Sequence, residues 1–137
     1  MHVVRRPALT CLALLTVTAI TTGARAETML GEYFASMSPK DAVNSRGAPL
    51  NDICTIARQD RANYHRFGKR DDQDQGDVWF DDPAMRAAFG SVCVADPSYY
   101  ARAGQKIRSG DRQYYIWVRV FGRGTQITRI TIGEGAG

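Results

Sequence analysis

Histidine and glutamate are scarce in this chain. There are two histidines, His2 and His65, and the only glutamates are Glu27, Glu32 and Glu134. A small secreted nuclease fits the length, but such enzymes pair a histidine with a second histidine or a glutamate. Here an aspartate would have to serve as the base. No Gly-x-Ser-x-Gly turn occurs, so a serine hydrolase of the elbow type has no support. No Cys-x-x-Cys or Cys/His cluster occurs, which removes the usual zinc and dithiol sites. No apolar run reaches the ~20 residues of a membrane-spanning helix, so no membrane span is expected.

The N-terminus carries the clearest pattern. Arg5 and Arg6 precede an apolar run from Ala8 to Ile20, and Ala24-Arg25-Ala26 follows. A basic start, a short apolar core and a small-x-small site describe an export leader. Residues 1–26 are therefore expected to be a signal peptide, cut after Ala26. The mature part, 27–137, is expected to be one small domain in the periplasm or medium. Cys11 precedes most of the apolar run, the wrong order for a lipid-anchored cysteine.

Removing the leader changes the charge argument. Arg5, Arg6 and Arg25 go with it, so 18 basic against 14 acidic side chains becomes 15 against 14. The basic character belongs largely to the precursor, and nucleic acid is not an expected partner. Locally the signs separate. Lys69 to Asp82 holds six aspartates, whereas Arg102 to Arg129 holds seven basic residues and a single acid, Asp111. Both stretches are expected to be solvated faces.

Loss of Cys11 leaves Cys54 and Cys93, which are expected to pair in an oxidising compartment. Closing that loop is worth roughly 4 kcal/mol in the chain-entropy model.

The expected fold is α+β: an N-terminal strand, one main amphipathic helix, two short helices and a C-terminal β-hairpin, with one disulfide. The first strand is expected over Leu30–Met37. Ser38-Pro39-Lys40-Asp41 reads as a helix start, and Asn44-Ser45-Arg46-Gly47 as a turn. The main helix is expected from about Pro49 to Phe67, closed by Gly68. Its apolar stripe is Ile53, Ile56, Ala57, Tyr64 and Phe67. Asp82-Pro83 and Asp96-Pro97 read as caps of short helices near 83–89 and 97–108. Gln113–Phe121 and Gln126–Ile132 alternate as strands around a Gly122–Thr125 turn, and Gly133–Gly137 is expected to fray.

The run Gln59-Asp60-Arg61-Ala62-Asn63-Tyr64-His65-Arg66-Phe67, with the Asn44–Gly47 turn ahead of it, resembles small exported bacterial proteins of no assigned function. The resemblance implies no activity and marks the Asp60 segment as a hallmark of the type.

Four groups of residues bear on function. Asp60 falls on the apolar stripe of the helix, where an ionised carboxylate needs a partner. Arginine suits it, and Arg86, Arg119 and Arg129 are the candidates. His65 lies about 140° from Asp60 around the helix, so the two are not expected to form a dyad. They are nevertheless the catalytic candidates if the protein is a small hydrolase. Asp71, Asp77 and Asp82 are the metal candidates of an EF-hand-like alignment. There glutamines replace two expected acids and Pro83 interrupts the following turn. No cofactor is expected.

The hairpin is the fourth group. Ile116, Val118, Val120, Ile130 and Ile132 line one side. Tyr115, Trp117, Arg119 and Phe121 line the other, with Ile127 and Arg129 beside them. This second side is expected to be core, with Arg119 reaching Asp60. Its alternative is an exposed binding surface of Tyr115, Trp117, Arg119 and Arg129 that stacks sugars or bases. The function that best fits is a non-enzymatic module recognising an envelope or extracellular partner through that surface.

Overall fold

A computed structural model of the chain describes Gly23 and residues 25–135. The expected leader therefore lies outside the described residues, apart from Gly23, Arg25 and Ala26. The elements are β1 (Thr28–Met37), α1 (Ile53–Arg66), α2 (Pro83–Arg86), a 3-10 turn (Ala87–Gly90), β2 (Cys93–Ala95), α3 (Pro97–Tyr100), α4 (Ala103–Ser109), β3 (Tyr114–Arg123) and β4 (Gln126–Glu134). The α+β architecture and the Cys54–Cys93 disulfide are both present.

The strands form one sheet in the order β1-β3-β4-β2. β3 pairs antiparallel with both β1 and β4, and β2 runs parallel to β4. Strict alternation along β3 buries Ile116, Val118 and Val120. Antiparallel register adds Tyr33 and Ala35 from β1 and Ile130 and Ile132 from β4 to the same side. The core sits here, between the sheet and Ile53, Ile56 and Ala57 of α1, with Phe80, Phe89 and Ile107 filling the flanks. Gly31 admits the Trp79 ring over β1, because a Cβ there would lie 2.5 Å from that ring.

Several boundaries differ from the sequence expectation. Residues 38–41 form one turn and no helix. Asp41 does accept from the Ser38 backbone N–H at 3.0 Å, but Val43 then bridges to Pro49 and keeps the chain extended. The main helix consequently starts later, at Ile53, where Asp52 caps Thr55 N–H at 2.8 Å. Phe67 is the C-cap and is 45 % exposed, so it is not part of the buried stripe. Asp82 and Asp96 cap as expected, at 2.7 and 2.8 Å, but 97–108 is two helices. The hairpin turn is narrower, at Gly124-Thr125, and β4 continues to Glu134, so 133–134 is paired strand.

β2 is not among the strands expected from the sequence. Three residues carry too little alternation to be read as a strand. Its position follows from the disulfide, which fixes Cys93 to α1, and from pairing of Cys93, Val94 and Ala95 with Ile130, Thr131 and Ile132.

Candidate functional site

The helices cover one face of the sheet, and the opposite face carries the expected binding residues. Trp117 faces Phe34 of β1 in register, and the two rings stack 5.5 Å apart at an interplanar angle of 8°. The Arg119 guanidinium lies over Trp117, 3.5 Å from its centroid. One register step along, Arg129 of β4 lies over Phe121 at 3.7 Å. The result is a ladder of rings and guanidinia across three strands, a cross-strand arrangement that stabilises an otherwise wet sheet.

The arginines are differently engaged. Arg129 forks onto Glu27 at 2.7 and 3.1 Å, and with Thr128 it holds that carboxyl below the usual carboxylate range. Arg119 meets Glu32 only at 3.8 Å, with both side chains about 40 % exposed. Arg119 therefore keeps most of its hydrogen-bonding capacity.

These contacts correct the sequence reading twice. Tyr115, Trp117, Arg119 and Phe121 are all half-buried and none is core, so this side is a surface. It is also a poor stacking platform for sugars or bases, because Phe34 and Arg119 already occupy the π-surface of Trp117.

Asp60 and Arg61 form a second cluster, beneath the first face and inside the fold. Asp60 is 1 % exposed and bonds to Nε of its own chain neighbour, Arg61, at 2.7 Å. Arg86, Arg119 and Arg129 are thus not its partners. Arg86 instead donates to the carbonyls of Phe80 and Asp81, while Arg119 and Arg129 stay on the outer sheet face. Arg61 is fully buried between two rings, 4.4 Å from Tyr33 and 4.6 Å from Tyr64. Sequence reasoning missed it because Arg61 sits beside the apolar stripe and looks like an exposed flank. The flanking Tyr33 and Tyr64 are the only hint.

Arg61 also donates to the Asp77 carboxylate at 3.1 Å and to the Gln75 carbonyl at 2.8 Å. His65 Nε2 meets the same Asp77 oxygen at 2.8 Å. A chain of contacts thus runs Asp60–Arg61–Asp77–His65. No hydrogen bond joins Asp60 to His65 directly, as the helix geometry requires. Burial pushes the Asp60 carboxyl up to about 8, against the pull of Arg61. Burial also raises Asp77, but His65, the Phe80 N–H and Arg61 together hold it below its ordinary value. Neither Asp60 nor His65 lines the clefts beside α4, along the outer side of α1 or next to the disulfide.

Of the acidic loop expected to be solvated, Asp72, Asp81 and Asp82 are exposed, whereas Asp71, Asp74 and Asp77 are partly buried in contacts with the rest of the fold. Asp77 Oδ1 accepts from the Trp79 and Phe80 N–H groups. Asp74 accepts from Ser36 N–H at 2.9 Å, and the Gln75 side chain from Phe34 N–H at 3.0 Å. Asp71 pairs with Lys40 at 2.7 Å. The loop thereby satisfies the free edge of β1, which would otherwise expose a row of unpaired backbone groups. Asp71, Asp77 and Asp82 therefore serve three separate tasks. Among the described residues no three of His, Cys, Asp and Glu converge on a metal position. Also among them, no helix is long and apolar enough to cross a membrane.

No protein-family model, no curated protein and no solved structure matches the chain.

Proposed function

We propose that the protein is an exported, non-enzymatic recognition module whose contact surface is the uncovered sheet face. Its partner is a protein that sets a carboxylate against Arg119 and an apolar side chain against the Phe34–Trp117 edge. The observation that carries this reading is the Arg119–Trp117–Phe34 stack, held rigid by strand register with one arginine fork still largely unspent. The few residues that dominate binding energy in protein interfaces are enriched in tryptophan, tyrosine and arginine, and a pre-ordered side chain loses little entropy on docking. The charge on this face is nearly balanced by Glu27 and Glu32, which fits a protein surface better than a polyanion.

Export is supported by the leader pattern and is compatible with the disulfide, which persists in oxidising compartments. The test is quantitative capture of a partner from envelope extract, followed by affinity measurement with that purified partner. Trp117→Ala and Arg119→Ala are each expected to weaken binding by about tenfold or more, roughly 1.4 kcal/mol. Val94→Ala, at the far edge of the sheet, is expected to leave it unchanged. Equal affinity of the Trp117 and Arg119 variants and the parent would end this reading.

A further inference from the structure

A cleft of about 430 Å³ runs along the outer side of α1, between the Asn44–Gly47 turn and the start of α2. Thr55, Arg58, Ala62 and Arg66 line it and recur every three or four residues, so they share one side of the helix. Ala62 is short and leaves room between the two longer arginines. Arg86 of α2 joins them in the lining. The volume lies within the range of small-ligand sites.

The charge of this cleft is one-sided. Three arginines line it and, among the described residues, no acid does. None of the three pairs with a carboxylate of the described residues. Asp52 and Asp82, close by in the chain, are turned onto the N–H groups of Thr55 and Ala84 as helix caps. A smaller adjoining cleft shares Asn44, Ser45, Gln59 and Phe67 and adds Lys69, again with no acid in its lining.

Arg86 separates this cleft from a set of solvated surface arginines. It is only 6 % exposed. Its Nη1 is spent on the carbonyls of Phe80 and Asp81, which carry no countercharge. Its Nε and Nη2 have no hydrogen-bond partner among the described residues, yet neither is shut off from solvent. A cation buried this far ordinarily has a carboxylate beside it. Arg61, equally inside, has two, Asp60 and Asp77. Arg86 has none.

We propose that this cleft binds a small soluble anion bearing phosphate groups. The Nε and Nη2 groups of Arg86 form the edge of the guanidinium fork that meets two oxygens of one phosphate. A phosphate ester brings about −1.5 to −2 charges and three acceptor oxygens. A single carboxylate brings one charge and leaves two of the arginines unmatched. Arg58 and Arg66 stand ~12 Å apart along the helix axis, so a diphosphate or a bisphosphate answers them better than one phosphate. Leu50, Phe67 and Pro83 supply apolar wall for the carbon part of such a ligand. The inference does not rest on the sheet-face reading, since neither Trp117 nor Arg119 belongs to this lining.

The test is calorimetric titration of the protein, residues 27–137, with pyrophosphate, beside inorganic phosphate, citrate and vesicles containing phosphatidic acid. Pyrophosphate is expected to bind saturably, at millimolar affinity or better, and more tightly than phosphate or citrate. Arg58→Gln and Arg66→Gln, both at exposed positions, are each expected to weaken it about tenfold with the melting temperature kept. Arg119→Gln, on the outer sheet face, is expected to leave it unchanged. The Arg86 Nε–H resonance is expected to shift during the titration, which reads its part without a substitution that endangers the fold. Absence of saturation up to about 10 mM pyrophosphate overturns the proposal. So does an unmoved Arg86 resonance, an equal loss in Arg119→Gln, or tighter binding of citrate. Binding to the vesicles that no soluble phosphate matches overturns the assignment to a soluble ligand.

Discussion

His65 Nε2 lies 2.8 Å from Asp77 Oδ2, and this contact ties the last turn of α1 to the loop that finishes the edge of β1. The same carboxylate oxygen receives Arg61, and its other oxygen holds the Trp79 and Phe80 N–H groups. Asp77 is thus the joint between helix, loop and sheet edge. His65 is a structural clamp in this arrangement.

Asp77→Ala is expected to be among the most damaging single changes. It removes acceptors from two backbone donors and takes from the buried Arg61 guanidinium one of its two carboxylate partners, leaving Asp60 and the Gln75 carbonyl. Loss of one partner from a buried charged pair costs about 3–5 kcal/mol. Chemical denaturation measures it. A cost below about 1 kcal/mol would show that the joint carries no weight.

His65→Ala is expected to cost less, about 1–2 kcal/mol, because Arg61 still holds Asp77. Hydrogen exchange in the variant is expected to speed up at Phe34 and Ser36, whose N–H groups the loop covers. Unchanged protection there would separate His65 from the loop.

Asp60 gives a pH dependence of definite sign. Burial raises its carboxyl from the ordinary 3.8 to about 8, so the folded chain holds a proton that the unfolded chain has released between those values. This contribution to stability is complete below the unfolded value and fades as pH rises through the folded one. Stability is expected to fall across pH 4–8 by about 1 kcal/mol per pH unit from this group. Asp77 acts oppositely. Its lowered carboxyl contributes above the unfolded value and is lost as pH falls below it. Asp60→Asn is expected to flatten the decline above pH 4 and to leave the acid limb in place. Denaturation midpoints across the range test both limbs.

Breaking the Cys54–Cys93 bridge with a Cys54→Ser/Cys93→Ser pair is expected to cost roughly 4 kcal/mol, since it reopens a loop of 39 residues. β2 should suffer first, because the bridge anchors it to α1 and it has only three paired residues. Faster hydrogen exchange in Val94 and Ala95 than in β1 and β3 would show this.

Gly104→Ala is expected to destabilise the fold by about 1–3 kcal/mol through overpacking. A Cβ at this position would lie 2.6 Å from Asn51 Cα and also against the Leu50 carbonyl. Both neighbours are backbone and have little freedom to retreat. A neutral thermal melt would contradict the tight approach of α4 to the segment before α1.

Local chemistry alone determined a good part of this protein. The alternation of Ile116, Val118 and Val120 fixed both faces of β3, the Asp-Pro pairs placed two helix starts, and the two cysteines outside the expected leader left one pairing. Each depends on neighbours a few residues apart or on simple counting. Only the tertiary structure decided that Asp60 pairs with adjacent Arg61, that His65 serves Asp77, and that the acidic loop closes a sheet edge. These depend on which long side chains are drawn inward when distant segments meet, and a buried arginine reads in sequence like a solvated one. β2 shows the same limit, since three residues become a strand only through pairing with β4 and a covalent tie to α1.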